Sequence, residues 1–454
     1  MNAVLPARHG AAVIAMTLIT IVLSAIVGMP SAFATTTVEA LPARCAPLDD
    51  SACPEPLDAQ LPDPKDMLIW DPATRVVGFR NTYRLYPGDV FHAGGGLPYP
   101  LPKRLAPMPV VHYPFGGARL DLTDYLHRQR VTGLLILKNG QIAYEYYGQG
   151  NTDRTLWTSR SVAKSVVSTL MGMAVKEGFV DSLETPLTRY LPELKDSAWD
   201  GVSLRQALQH TSGIAWNENY ADPDSDFSHL TQCEAGPNAY DCVMHLVTSL
   251  GRVANRQPGQ HWAYNTGGAW LVGRALERAT GMPLARYLET RLWRRLPMEH
   301  DGVWQALVPG EVEMGGHGFN ATLRDWGRFA LFVAHGGTLS DGTPLLPTDW
   351  LEAATTWTQA EGSVTPATPA GQFGYQWWHL GIDPALHPTP TMVASTHRVF
   401  WAQGIYGQNL AIDRTEDLVM VQWSAWEQAE KPDALYDEQA VFFSALEKAF
   451  ASQR

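Results

Sequence analysis

Strand signals stand near both ends of this chain, with helical signals between them. No other feature constrains the fold as much. Gly133-Leu-Leu-Ile-Leu-Lys138 and Gln141-Ile-Ala-Tyr-Glu-Tyr146 flank Asn139-Gly140. Two apolar runs about an Asn-Gly pair predict a hairpin, because that pair tolerates the left-handed backbone of a tight turn. Far along the chain, Asn409-Leu-Ala-Ile-Asp413 and Leu418-Val-Met-Val-Gln-Trp423 flank Arg414-Thr-Glu-Asp417 and predict a second hairpin. Helical patterns lie between: Ser161 to about Glu177, stopping at Gly178; Gly268 to Thr280, closed by Gly281 and Pro283; and a segment from Thr322 to Gly336-Gly337. A last amphipathic helix runs from Glu438 to Phe450. The expectation is an α+β fold, with an antiparallel sheet built from N- and C-terminal parts, flanking helices and an inserted helical lobe.

The N-terminus reads as a sorting signal. Arg8 precedes an apolar run from Ala11 to Met29, and Pro30-Ser-Ala-Phe-Ala34 supplies a small-residue cleavage pattern. Residues 1–34 are thus expected to be a signal peptide. The run is also long enough to serve as an uncleaved N-terminal anchor. Either way the expected location is exported, periplasmic or secreted. Residues 35–110 are Pro-rich and read as an extended N-terminal wrap ordered by Trp70, Phe79, Tyr83 and Tyr86, leaving 111–454 as the main domain. Export favours disulfides. Short loops lose least entropy on closing, so Cys45–Cys53 and Cys233–Cys242 are the expected pairs of the three possible connectivities. Neither pair has zinc-type spacing, so no metal is expected. The net charge of −12, without a basic cluster, argues against nucleic acid as a partner.

One tetrapeptide carries chemistry. In Ser161-Val-Ala-Lys164, at the predicted start of a helix, residues three apart share a face. A Lys held neutral by burial can take the Ser proton and turn a weak nucleophile into a competent one. The N–H of Ser161 would point from the helix N-terminus at a developing oxyanion. No G-x-S-x-G elbow occurs, which disfavours an α/β-hydrolase. His210 reads as a turn that ends a helix, and Asp325 as a helix cap or brace.

Four further segments follow in order: His210-Thr-Ser-Gly213; Pro258-Gly-Gln-His-Trp-Ala-Tyr-Asn-Thr-Gly-Gly268; Thr322-Leu-Arg-Asp-Trp-Gly-Arg-Phe329; and Phe373-Gly-Tyr-Gln-Trp-Trp378 with Gly404-Ile-Tyr-Gly-Gln408. Together with Ser161 and Lys164 they resemble the serine β-lactamase and penicillin-binding-protein family over about residues 130–425, in particular its class C-like esterase and 6-aminohexanoate-dimer hydrolase branch. The resemblance implies a β-lactamase/transpeptidase-like fold and an acyl-enzyme on Ser161. Lys164 and Tyr264 would share the acid–base work, with Tyr264 acting as a base if the neighbouring ammonium depressed its pKa. The oxyanion hole would be the N–H groups of Ser161 and Ile405. No cofactor is implied.

Two positions depart from the family pattern. Thr266 stands where an Asn is frequent, and Ala402-Gln403-Gly404 stands where Lys-Thr-Gly or His-Thr-Gly is frequent. The second change removes the groups that would grip a β-lactam carboxylate. The expected function is an exported serine hydrolase of small ester or amide substrates. A β-lactamase or D-alanyl carboxypeptidase, and an acylated or ligand-binding sensor module without turnover, are the alternatives. Tyr220, Trp401, Gln403 and Gly404 are the expected substrate-binding residues, and the segment from Trp216 to Arg256 is expected to rim the cleft.

Overall fold

The computed structural model describes residues 55–56, 59–356, 360, 372–379, 399–430 and 434–453, all within one compact unit, Val38–Arg454. The signal or anchor segment and the Cys45–Cys53 pair lie outside the described residues. No helix among the described residues is long and apolar enough to cross a membrane.

The N-terminal wrap is more regular than expected. It contains helix α1, Pro72–Arg80, because the Asp71 side chain accepts the N–H groups of Ala73 and Thr74 and Pro72 occupies the first turn. A Pro there loses no hydrogen bond and has the right φ. A strand, Gly88–Phe91, follows and pairs with Gly302–Val308. Trp70, Phe79, Tyr83 and Tyr86 are buried, as the sequence implied.

Strands β1 (Val131–Lys138) and β2 (Gln141–Tyr147) form the first hairpin. Lys138 pairs with Gln141 across Asn139 (φ 52°) and Gly140 (φ 70°), the left-handed turn that Asn-Gly favours. The inserted lobe carries helices α2 (Val162–Glu177), α3 (Asp226–Glu234), α4 (Ala239–Ser249), α5 (Thr266–Thr280) and α6 (Leu323–Ala334). The sheet resumes with β3 (Gln372–Phe373), β4 (Trp378–His379), β5 (Val399–Gly404), β6 (Gln408–Asp413) and β7 (Leu418–Ser424), and helix α7 (Ala434–Ala451) closes the chain. The spatial order is β3-β4-β5-β6-β7-β1-β2, all antiparallel. The two ends of the chain meet where β7 pairs with β1, Val421 opposite Leu135.

Alternation along these strands splits the core in two. Leu134, Ile136, Trp401 and Met420 pack on Phe442, Phe443 and Phe450 of α7. Leu135, Leu137, Phe400, Ala402 and Val421 face the larger core shared with α2 and α6. Helix α2 is buried continuously from Val162 to Ala174 and ends at Gly178 (φ 79°). It therefore holds its first turn rigidly against the end of β5.

Candidate active site

The nucleophile candidate sits at a sharp entry to α2. Strand residues Trp157–Thr158 pair with Phe319–Ala321, and Ser159 N–H donates to Phe319 O at 2.8 Å. Arg160 then turns the chain with φ 45°, and Ser161 is the N-cap. The first N–H groups of a helix have no intrahelical acceptor, so they face outward as donors.

Lys164, one turn along and 2% exposed, contacts three oxygens: Ser161 Oγ at 3.0 Å, Thr266 Oγ1 at 3.0 Å and Gly316 O at 2.8 Å. A neutral amine has two N–H bonds and one lone pair. The Gly316 carbonyl can only accept, and Thr266 Oγ1 donates its own hydrogen to Glu218 Oε1. Both N–H bonds of a neutral Lys164 are therefore committed, and the lone pair is left for the Ser161 hydroxyl. Burial lowers the Lys164 pKa to about 8, while the charges of Glu218 and Glu234 pull it upward. The neutral form is thus accessible near physiological pH, as a general base requires.

The second element is built on α5. Asn265 caps it by accepting the N–H of Gly268 at 2.7 Å, which places Thr266 on the first turn and Tyr264 just outside it. The Lys164 ammonium position lies 5.0 Å from the centroid of the Tyr264 ring. Burial drives the Tyr264 pKa well above the ordinary phenol value and the Glu218 charge adds to this, with a hydrogen bond to Ser161 opposing. The depressed pKa on which a Tyr264 phenolate base would depend is thus not met. Beside Ser161 the geometry therefore provides a protonated phenol in Tyr264 and, in Lys164, an amine whose pKa burial brings down toward neutrality.

Among the described residues, no hydrogen bond links His210 to Ser161. Its backbone is left-handed (φ 55°), its Nδ1 accepts the Asn265 N–H at 3.3 Å, and its ring packs on Tyr264 at 4.6 Å. Burial and the Lys164 charge hold its pKa well below the usual value. It is a neutral brace for the second element, as the turn reading implied. Asp325 likewise accepts the N–H groups of Glu299 and His300 and pairs with Arg328.

Glu218 is the residue that sequence reasoning missed. Its carboxylate accepts the Thr266 N–H at 2.9 Å, the Thr266 hydroxyl, Trp216 Nε1, and the Tyr220 hydroxyl at 3.0 Å. Burial raises its pKa, and the charge of Lys164 and these donors oppose that rise. Trp216-Asn-Glu-Asn-Tyr220 has no motif that announces such a role; only its place in the expected rim pointed here. Tyr220 meets the site through Glu218, with its ring edge on Phe227 at 4.8 Å.

At the end of β5, Gly404 is required by proximity. A Cβ there would stand 2.7 Å from Ser159 O, 2.9 Å from Arg160 Cβ and 3.0 Å from Ser161 N. Ile405 follows, so its N–H leaves the strand next to the nucleophile turn. Gln403 points to the opposite side by strand alternation. Trp401 was expected to line the cleft, and the structure corrects this. It meets Phe443 of α7 edge-on at 5.4 Å, in the core on the other face of the sheet. An aromatic wall does stand beside Tyr264, but it is made of Trp262, Phe373 and Trp378.

The Cys233–Cys242 disulfide is formed, with Cα atoms 5.4 Å apart, and ties α3 to α4. Next to it, buried Glu234 meets His317 Nε2 at 2.9 Å and accepts from Gln305 at 3.0 Å. His317 adjoins Gly316, whose carbonyl holds Lys164.

The chain is similar to several known proteins. The Beta-lactamase family model matches residues 121–442. The 6-aminohexanoate-dimer hydrolase of Paenarthrobacter ureafaciens is 29% identical over 328 residues, 70% of this chain and 79% of that protein. Esterase EstB of Burkholderia gladioli is 30% identical over 208 residues, and that match spans 51% of EstB and 41% of this chain. Among solved structures, a putative 6-aminohexanoate-dimer hydrolase from Bacillus anthracis has the same fold, with a TM-score of 0.69 at 20% identity over 83% of this chain and 94% of that one.

Proposed function

The chain belongs to the Beta-lactamase family and is a serine hydrolase, and from that premise we propose that it is an exported esterase or amidase of small substrates working through an acyl-enzyme on Ser161. The observation that carries this reading is the Lys164 amine, with two hydrogens absorbed by Gly316 O and Thr266 Oγ1 and its lone pair left to Ser161. Lys164 takes the hydroxyl proton as Ser161 Oγ bonds to the substrate carbonyl carbon. The oxyanion that forms is held by the N–H groups of Ser161 and Ile405. Tyr264 returns a proton to the departing alcohol or amine as the carbonyl–heteroatom bond breaks. Water then cleaves the Ser161 ester by the same steps in reverse.

Ala402-Gln403-Gly404 supplies no cation at the third motif, which supports esters and linear amides over β-lactams. Similarity to the 6-aminohexanoate-dimer hydrolase over most of both chains supports a linear amide among the substrates. Export is supported by the apolar run from Ala11 to Met29, the Ala34 site and a disulfide suited to an oxidising compartment. The test is a fluorophosphonate probe with peptide mapping, beside a panel of short p-nitrophenyl esters, a linear amide and a chromogenic cephalosporin. Ser161 is the expected single labelled serine. Esters should exceed the cephalosporin about a hundredfold in kcat/KM, since two lost charge-assisted contacts at ~1.5 kcal/mol each reach that factor. Labelling elsewhere, or equal rates on both classes, overturns the reading.

A further inference from the structure

The two residues flanking the oxyanion donors proposed above share an unusual backbone. Arg160, just before Ser161, has φ 45°, and Tyr406, just after Ile405, has φ 65°. Side-chain-bearing residues keep such conformations only where their surroundings hold them. Both are buried, and both rest on one side chain, Phe79 of α1. The Arg160 guanidinium lies 4.5 Å over the Phe79 ring, and the Tyr406 ring meets Phe79 edge-on at 5.6 Å. Trp157, which leads into the nucleophile turn, meets the same ring at 5.7 Å.

The surrounding contacts fix this arrangement from the wrap side. The Arg75 guanidinium, also on α1, stacks 3.8 Å over the Tyr406 ring and donates to Trp70 O and Trp426 O. The Tyr406 hydroxyl donates to Leu68 O at 3.0 Å. Nε and Nη2 of Arg160 have no hydrogen-bond partner among the described residues, so the ring face of Phe79 is a principal contact of that cation. All of these wrap residues lie outside the segment 121–442 that matches the family model.

We infer that Phe79 is a positioning residue for the oxyanion hole, setting the separation of the two turns that carry its N–H groups. The inference rests on the assignment of those donors to Ser161 and Ile405. Oxyanion donors act only within about 2.7–3.1 Å of the developing charge. A displacement near 1 Å caused by a distant side chain is enough to cost about a hundredfold in rate. The contact is made in the transition state, so its loss falls on kcat and spares KM.

The experiment compares Phe79→Leu, which keeps most of the bulk and loses the ring face, with Val76→Ala, a cavity on the same helix. Each variant is measured for kcat and KM on a p-nitrophenyl ester, Ki for an alkylboronic acid, and Tm. For Phe79→Leu the expected result is a fall in kcat of about tenfold, a similar rise in boronate Ki, and KM within about twofold. Val76→Ala should lower Tm and leave kcat unchanged. An unchanged kcat and Ki in Phe79→Leu overturns the inference, as does an equal fall in kcat in Val76→Ala. If Phe79→Leu does not fold, Phe79→Met decides, since it fills most of the same volume and deletes the ring that Arg160, Tyr406 and Trp157 meet; an unaltered kcat there also overturns it. An inactive wild-type protein that binds no boronic acid would refute the acyl-enzyme reading as well, whereas an active wild type with an insensitive Phe79→Leu refutes this inference alone.

Discussion

Glu218 takes both hydrogens that Thr266 can donate, the backbone N–H at 2.9 Å and the hydroxyl. Thr266 Oγ1 is therefore left as a pure acceptor for Lys164 at 3.0 Å. The orientation of the lysine lone pair is thus set two residues away from it, by a carboxylate that does not touch the nucleophile. A Thr at this position does what a side-chain amide oxygen would do, provided a partner fixes its proton. Glu218 is that partner.

The pH–rate profile should report this arrangement. Lys164 must be neutral to accept a proton, so kcat/KM should rise with pH through a limb near its pKa of about 8. The Glu218 charge raises that pKa. Glu218→Gln should move the limb to lower pH and, by turning a donor toward Thr266, reduce the plateau. A limb that stays in place or moves upward in Glu218→Gln would exclude this coupling.

Removing the hydroxyl acts on the same bond from the other side. Thr266→Val should lower kcat by roughly tenfold to a hundredfold, the range of one charge-assisted hydrogen bond at ~1.5–3 kcal/mol. Thr266→Ser should retain most activity. Steady-state kinetics on one ester decide it, and equal losses in both variants would point to packing by the γ-methyl instead.

Much of this was legible in the sequence for identifiable reasons. The hairpins at 139–140 and 414–417 show because period, turn chemistry and length all agree locally. Ser161, Lys164 and Tyr264 show because their spacing lies within motifs. Glu218 was hidden because its role depends on contact with Thr266, 48 residues away, and a lone Glu between two Asn residues carries no local signal. Trp401 was misplaced because nearness in sequence to Gly404 says nothing about side; in a strand, an offset of three residues changes the face. The helix in the wrap was obscured by proline content, although Asp71-Pro72 is itself a helix-start signal.

Gly404→Ala isolates the sterics of the site. The φ of Gly404 is −133°, a value alanine adopts freely, so any effect comes from the added methyl against Ser159 O, Arg160 Cβ and Ser161 N. Fluorophosphonate labelling of Ser161 should slow by about a hundredfold, in keeping with a displaced donor, while the folded state persists. Labelling at the wild-type rate would mean that β5 and α2 separate easily, against the packing seen.

The disulfide should matter for turnover as well as stability. Opening Cys233–Cys242 should cost at most ~2–3 kcal/mol in the loop-entropy model. Glu234 adjoins Cys233 and holds His317, the neighbour of the Gly316 carbonyl that orients Lys164. A Cys233→Ser/Cys242→Ser double variant should therefore lose kcat at temperatures where it remains folded. Full activity below its Tm would separate the loop from the site.

Asp89 should make the stability of the fold depend on pH. Burial and the nearby Glu313 charge raise the Asp89 pKa to about 7, although both of its oxygens accept the Gly310 N–H. Glu313 and Glu277 are buried beside it, and their pKa values are raised too, with burial the first cause of each. Arg274 pairs with Glu277 at 2.8 Å and is the one cation bonded to this trio among the described residues. A carboxyl whose folded pKa lies above its unfolded value stabilises the fold below the unfolded pKa. That contribution is lost as pH rises through the folded pKa. The window for Asp89 therefore runs from its ordinary value of 3.8 to about 7. Asp89→Asn keeps an acceptor for Gly310 and removes the titration. The difference in urea midpoint between variant and wild type should shift in favour of the variant as pH rises across that window, then level off above it. A difference that is constant with pH, or that shifts toward the wild type, would show that Asp89 is ionised in the folded protein throughout.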